Sequence, residues 1–145
     1  MPIKNYSSGQ KAATSITNIQ NLLAEHGANK VQIEYENAEP VCLSFSMWVG
    51  HQELYFRLEV NPEGMLRAMK NDKKVANNHC NIEQTKRTAW KNKVEWIHIQ
   101  LSEIEAQQAS LDQLLLGYAI TPDGDTVYQK LLISNRLLEG KVDNE

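Results

Sequence analysis

Glu34 and Glu36 stand two residues apart in an alternating stretch, so both fall on one face of a strand, and Glu59 closes a later strand on the same side. Three carboxylates gathered on a sheet are the raw material of a metal-dependent nuclease, which would use them to hold a divalent cation and activate water. Solvated charges that keep an edge strand from pairing with a neighbour account for them equally well. The other reactive side chains are more isolated. His98 has nothing within a helical turn that looks like a nucleophile or a second catalytic partner. His79-Cys80 lacks a second ligand pair at helical or turn spacing, so no zinc site is expected, and Cys42 and Cys80 read as reduced thiols. Asp123-Gly124-Asp125 opens like a calcium loop, but Tyr128 and Lys130 follow where further acidic ligands are required, which makes it a turn. No glycine-rich phosphate cradle and no serine in a nucleophile elbow occur. The expectation is a protein that binds without catalysis, with no catalytic residues, metal or cofactor.

What remains is charge. Between Arg67 and Lys93 the chain carries Arg67, Lys70, Lys73, Lys74, Lys86, Arg87, Lys91 and Lys93 against only Asp72 and Glu83, a local balance of +6 on a chain of net charge −3. Such a segment can meet a phosphate backbone or an acidic protein surface. Arg87 and Lys91, one helical turn apart, are expected to be its firm part. Trp48 and Tyr55 share the polar face of the strands and could stack bases, although Glu34, Glu36 and Glu59 on that face would repel phosphate.

The elements that must position these residues follow from periodicity. From Ala12 to His26, Ile16, Ile19 and Leu23 recur at helical spacing, and Gly27 stands where a helix ends in a left-handed residue. Every second residue is then apolar through Val31-Ile33-Tyr35, Val41-Leu43-Phe45-Met47-Val49 and Leu54-Phe56-Leu58-Val60, which predicts three antiparallel strands with one apolar face. Asn61 and Pro62 read as the cap and first turn of a helix, and residues 71–81, polar and without period, as a mobile loop. A long helix is predicted from about Ile82 to Gln107 with Trp90, Val94, Ile97 and Leu101 on its buried arc, and Trp96, Ala89 and Ile99 to one side. Ser110 caps a short helix, and Val127, Leu131 and Leu138 mark a last one before a tail that frays after about residue 139.

The result is an α+β fold: a three-stranded antiparallel meander packed against a long helix, with an N-terminal helix and short C-terminal helices. The 145 residues read as one domain. No apolar run approaches the roughly 18 residues of a membrane span, and the opening residues lack the apolar core of a secretion signal, so a cytoplasmic protein is expected. Trp48 and Trp96, if both stay exposed, would favour a homodimer.

The order helix, three strands, helices resembles the double-stranded-RNA-binding domain and small strand-annealing folds as topology alone, and fold analogy carries no function. Ile3-Lys4-Asn5-Tyr6, Leu23-Ala24-Glu25-His26-Gly27-Ala28, Thr88-Ala89-Trp90-Lys91, Glu95-Trp96-Ile97 and Leu114-Leu115-Leu116-Gly117-Tyr118 are similar to patches of a family of small uncharacterised proteins encoded by bacteriophages and prophages. The chain departs from that family at Lys91, where an arginine is frequent, and at Glu59-Val60, where leucine-proline is frequent. The resemblance implies an accessory protein in a bacterial host cell, and the basic segment is what points to binding of nucleic acid or a nucleic-acid-processing complex. An inhibitor of a host defence complex of CRISPR type, acting by protein contact, is the alternative, and a nuclease-like enzyme built on the strand carboxylates is the third reading.

Overall fold

A computed structural model describes residues 1–134 of the chain. Its elements run α1 (Ala12–Glu25), β1 (Lys30–Glu36), β2 (Glu39–Val49), β3 (Gln52–Glu59), α2 (Pro62–Asn71), a 3₁₀ turn at Asn77–His79, α3 (Ile82–Glu105), α4 (Leu111–Leu115), a second 3₁₀ turn at Leu116–Tyr118, and α5 (Val127–Ser134). The three strands form one antiparallel sheet in the order β1-β2-β3. The architecture is the predicted α+β arrangement, and element boundaries fall within a residue or two of those read from periodicity. Leu138 and the tail after residue 139 lie outside the described residues.

Local chemistry explains where each element starts and stops. α1 ends at His26 because Gly27, at φ 96°, turns left-handed and lets the Gly27 and Ala28 amides donate back to the Ala24 and Leu23 carbonyls. Asn61 caps α2 by accepting the Gly64 amide at 3.0 Å, with Pro62 in the first turn. Asn81 does the same for α3 through Gln84, and Ser110 and Gln113 form a reciprocal capping box on α4.

The β1–β2 connection is tighter than the stretch Glu36-Asn37-Ala38-Glu39-Pro40 between the apolar runs suggests. Glu36 pairs with Glu39, so only Asn37 and Ala38 turn the chain, at φ 51° and 66°. Two consecutive positive φ values are what a I′ turn demands, and Ala38 meets that demand with a Cβ that disfavours it. Replacing it in an Ala38→Gly variant is expected to stabilise the protein by about 0.5–1 kcal/mol, part of the relief being offset by a freer unfolded chain. A thermal melt followed by circular dichroism should show the midpoint rising about 2–4 °C.

Leu43, Phe45, Phe56 and Leu58 of the sheet share one buried cluster with Ile19 and Leu23 of α1 and Trp90, Val94, Ile97 and Leu101 of α3. Phe45 and Phe56 are register partners whose rings stack at 5.2 Å. Trp90, 1% exposed, is among the largest fully buried side chains. The amphipathic period therefore assigns it correctly to the core. Ala89 is buried beside it, Trp96 is partly covered, and Ile99 stays 60% exposed. The outer edge of β3 is partly closed by a later segment: Ile120 donates its amide to Tyr55 at 2.7 Å and Ala119 bridges Phe56.

α3 is buried on more sides than an ordinary surface helix, because α1, α2 and the first residues of the chain all lie against it. Residues 3–8 form a strap held by side-chain hydrogen bonds. Thr88 Oγ1 donates to the Asn5 carbonyl at 2.9 Å, Gln84 Nε2 donates to the Ser8 carbonyl at 2.9 Å, and Asn5 Nδ2 donates to Asn92 and Glu95. These bonds give the fully buried Thr88 and the nearly buried Gln84 the partners that burial requires.

Candidate anion-binding surface

The basic segment begins on α2, whose buried Met69 faces inward and leaves Arg67 and Lys70 exposed. Lys73 and Lys74 follow on the loop, also exposed. That loop has anchors of its own. Val75 is buried, the Tyr6 and His79 rings meet edge-on at 5.4 Å, and the Asp72 carboxylate accepts the amides of Lys74 and Ile3, both at 2.9 Å. Those amides, the Lys74 one foremost, hold the Asp72 carboxyl below the usual range. Four cations within eight residues are thus presented on a tethered scaffold, and none forms an ion pair with a described residue.

The later cations behave differently: of Lys86, Arg87 and Lys91, two are ion-paired. Lys86 is ion-paired with Glu39 at 3.0 Å and Glu83 at 3.5 Å, which raise its pKa. Lys91 is paired with Glu95 at 3.8 Å. Their charges are largely spent within the molecule. Arg87 is half-buried without an acidic partner among the described residues. Lys93 is turned into a groove, with its ammonium 5.7 Å from the Trp96 ring centre. The structure therefore gathers Arg67, Lys70, Lys73 and Lys74, and separates them in character from Lys86, Lys91 and Lys93.

On the polar face of the sheet, Trp48 is 57% and Tyr55 39% exposed. Tyr55 accepts from Lys30 Nζ at 2.8 Å, and Glu53 beside it accepts from Ser46 at 2.8 Å. Trp96 packs edge-on against Tyr118 at 5.3 Å, so the pair of exposed tryptophans imagined for a homodimer is reduced to Trp48.

Glu34 and Glu59 flank Cys42 as its register partners. Among the described residues, no group of three or more His, Cys, Asp and Glu side chains is arranged to hold a metal ion, Glu34, Glu36 and Glu59 included. Burial first, and the Glu34 charge second, push the Cys42 thiol up to about 11, which leaves it protonated and unreactive near neutral pH. Asp123 and Asp125 hold Lys130 across a short turn closed by the Ile120–Thr126 bridge, as the turn reading requires. The hydrogen bond from Lys130 is the main reason the Asp123 carboxyl drops to about 2.

No family model, curated protein or solved structure matches the chain.

Among the described residues, no helix is long and apolar enough to cross a membrane. The strap was missed by periodicity because its residues are polar and bond to partners far along the chain. One signal was present: Gln84, Thr85 and Thr88 are hydrogen-bonding residues clustered on the first turns of α3, next to its apolar arc.

Proposed function

We propose that this chain is a phage or mobile-element accessory protein that binds nucleic acid, without catalysis, through the end of α2 and the loop after it. The observation that carries the reading is the unpaired set Arg67, Lys70, Lys73 and Lys74, exposed on a scaffold tethered by Val75, Asp72 and the Tyr6–His79 contact. Exposed cations without acidic partners gain most from a polyanion, since each phosphate they neutralise releases counterions. The phage assignment rests on the similar patches around Trp90, Trp96 and the N-terminal residues.

Fluorescence anisotropy with labelled duplex and single-stranded oligonucleotides tests this across a salt series. Four phosphate contacts predict a log–log salt slope of about −3 to −4. Reversing all four charges to Glu is expected to weaken binding at least about 100-fold at low salt. Lys86→Gln and Lys91→Gln are expected to change it less than about threefold, because those lysines already have partners. Binding that is indifferent to salt, or that survives the fourfold reversal, refutes the surface.

A second reading is supported by an acidic face of the molecule. Glu34, Glu36, Glu59 and Glu63 border a depression of about 540 Å³ and form no ion pairs among the described residues. Such a face suits a basic protein groove that normally holds nucleic acid, as an inhibitor of a host defence complex would present. Nuclease-resistant capture of a host complex, lost on Glu34→Lys with Glu36→Lys but kept in the fourfold reversal, would favour it.

A further inference from the structure

Lys93 poses a problem that the proposed surface does not solve. Its side chain is half-buried on α3, and no carboxylate lies within ion-pair reach. Two acids share its surroundings, but Glu95 is committed to Lys4, Lys91 and Asn5, and Glu59 stays beyond pairing distance. Burial alone pushes the Lys93 pKa down. A partly desolvated ammonium lacking a counter-charge costs free energy that a bound anion would recover.

The space around it has the shape for one. Lys93 borders two adjoining depressions of about 620 and 470 Å³, within the size range of small-molecule sites. The smaller also has Arg57, Tyr118, Tyr128 and Glu59 in its walls. Arg57 is held by donating Nη1 to the Gly124 carbonyl at 3.3 Å, so a second cation is fixed on the same cavity. Tyr118 and Tyr128 are 37% and 53% exposed, and offer aromatic surface on the wall built by α5 and the preceding 3₁₀ turn.

We infer that this cavity binds a nucleoside monophosphate: the phosphate on Lys93 and Arg57, the base against Tyr118 and Tyr128, and the ribose hydroxyls donating to Glu59. Two cations against one carboxylate leave a net positive site suited to a phosphate ester. Two tyrosines on the cavity wall supply the sequence-tolerant stacking surface that any base can use. A guanidinium and an ammonium together match phosphate oxygens by geometry and by charge.

The site stands independently of the nucleic-acid surface, and its test is separable. Isothermal titration calorimetry with AMP, GMP, CMP and UMP is expected to give one-site binding with Kd below about 1 mM, while inorganic phosphate and adenosine, tested as separate arms, bind at least about tenfold more weakly. Lys93→Met keeps the stem, removes the charge, and is expected to weaken nucleotide binding about tenfold or more. Tyr128→Ala, at an exposed ring that the fold does not depend on, should weaken the nucleotides and leave inorganic phosphate unchanged. The Arg67, Lys70, Lys73 and Lys74 reversal should bind nucleotide as the parent does. No saturable heat up to about 5 mM nucleotide, undiminished binding by Lys93→Met, or equal affinity for bare phosphate would overturn the assignment.

Discussion

A Trp90→Ala variant is expected to lose about 3–5 kcal/mol of folding stability, the largest effect of any single substitution proposed for this protein. Trp90 is 1% exposed and belongs to the cluster that joins α3 to Leu43, Phe45, Phe56 and Leu58 of the sheet. Truncating an indole removes its transfer free energy and leaves a void that close-packed neighbours fill only in part. A domain whose whole stability is about 5–15 kcal/mol has little to spare after such a loss. Urea unfolding followed by circular dichroism should therefore show a much earlier midpoint, or no folded baseline. Trp48→Ala provides the contrast: at 57% exposure the same chemical change is expected to shift stability by no more than about 0.5 kcal/mol. Equal stabilities for the two variants would place the core elsewhere.

Removing residues 1–8 is expected to cost about 2–4 kcal/mol, the second largest effect, although those residues contribute no large side chain to the main apolar cluster. What they contribute is hydrogen bonding. Deletion strips Thr88 and Gln84 of their carbonyl acceptors, Asp72 of the Ile3 amide, and Glu95 of Asn5 and Lys4. Each such bond is worth about 0.5–1.5 kcal/mol net, and the entropy recovered by a freed strap offsets part of the sum. The loop should feel the loss most, since Tyr6 no longer meets His79. Hydrogen exchange is expected to accelerate at the amides of Val75, His79 and Cys80, which now close hydrogen bonds to Asp72, Ala76 and Asn77. A milder Thr88→Val change removes one donor and leaves the Asn5 carbonyl without it, for an expected cost of about 1–2 kcal/mol. If truncation left both stability and loop exchange unchanged, the strap would be an ornament of the surface.

The elements were legible in the sequence because each rests on short-range physics. Ile16, Ile19 and Leu23 repeat at helical spacing, the apolar residues of the strands alternate, and Gly27 and Asn61 occupy positions where helix ends need them. The sign of the basic segment was legible too. Its pairing was not, because Glu39 meets Lys86 only when the β1–β2 turn is folded beside the start of α3, and linear sequence does not encode that juxtaposition. Of the two residues read as the firm part of the surface, Lys91 meets Glu95, while Arg87, like Arg67, Lys70, Lys73 and Lys74, has no acidic partner among the described residues. Lys93 read as one more member of the basic segment. Its position beside Trp96, Tyr118 and the α5 wall depends on where the C-terminal elements dock, which periodicity leaves open.

The strap also sets an order of events during synthesis. Asn5 must find Thr88 and Glu95, and Ser8 must find Gln84, so Asn5 and Ser8 wait for partners made more than seventy residues later. At translation speeds of about 5–20 residues per second that wait lasts several seconds. Throughout it, a nascent sheet and α1 can assemble while Gln84 and Thr88 do not yet exist to receive the strap. Completion of this fold is thus a late, long-range closure, and the strap stays without its partners until the first half of α3 has been made.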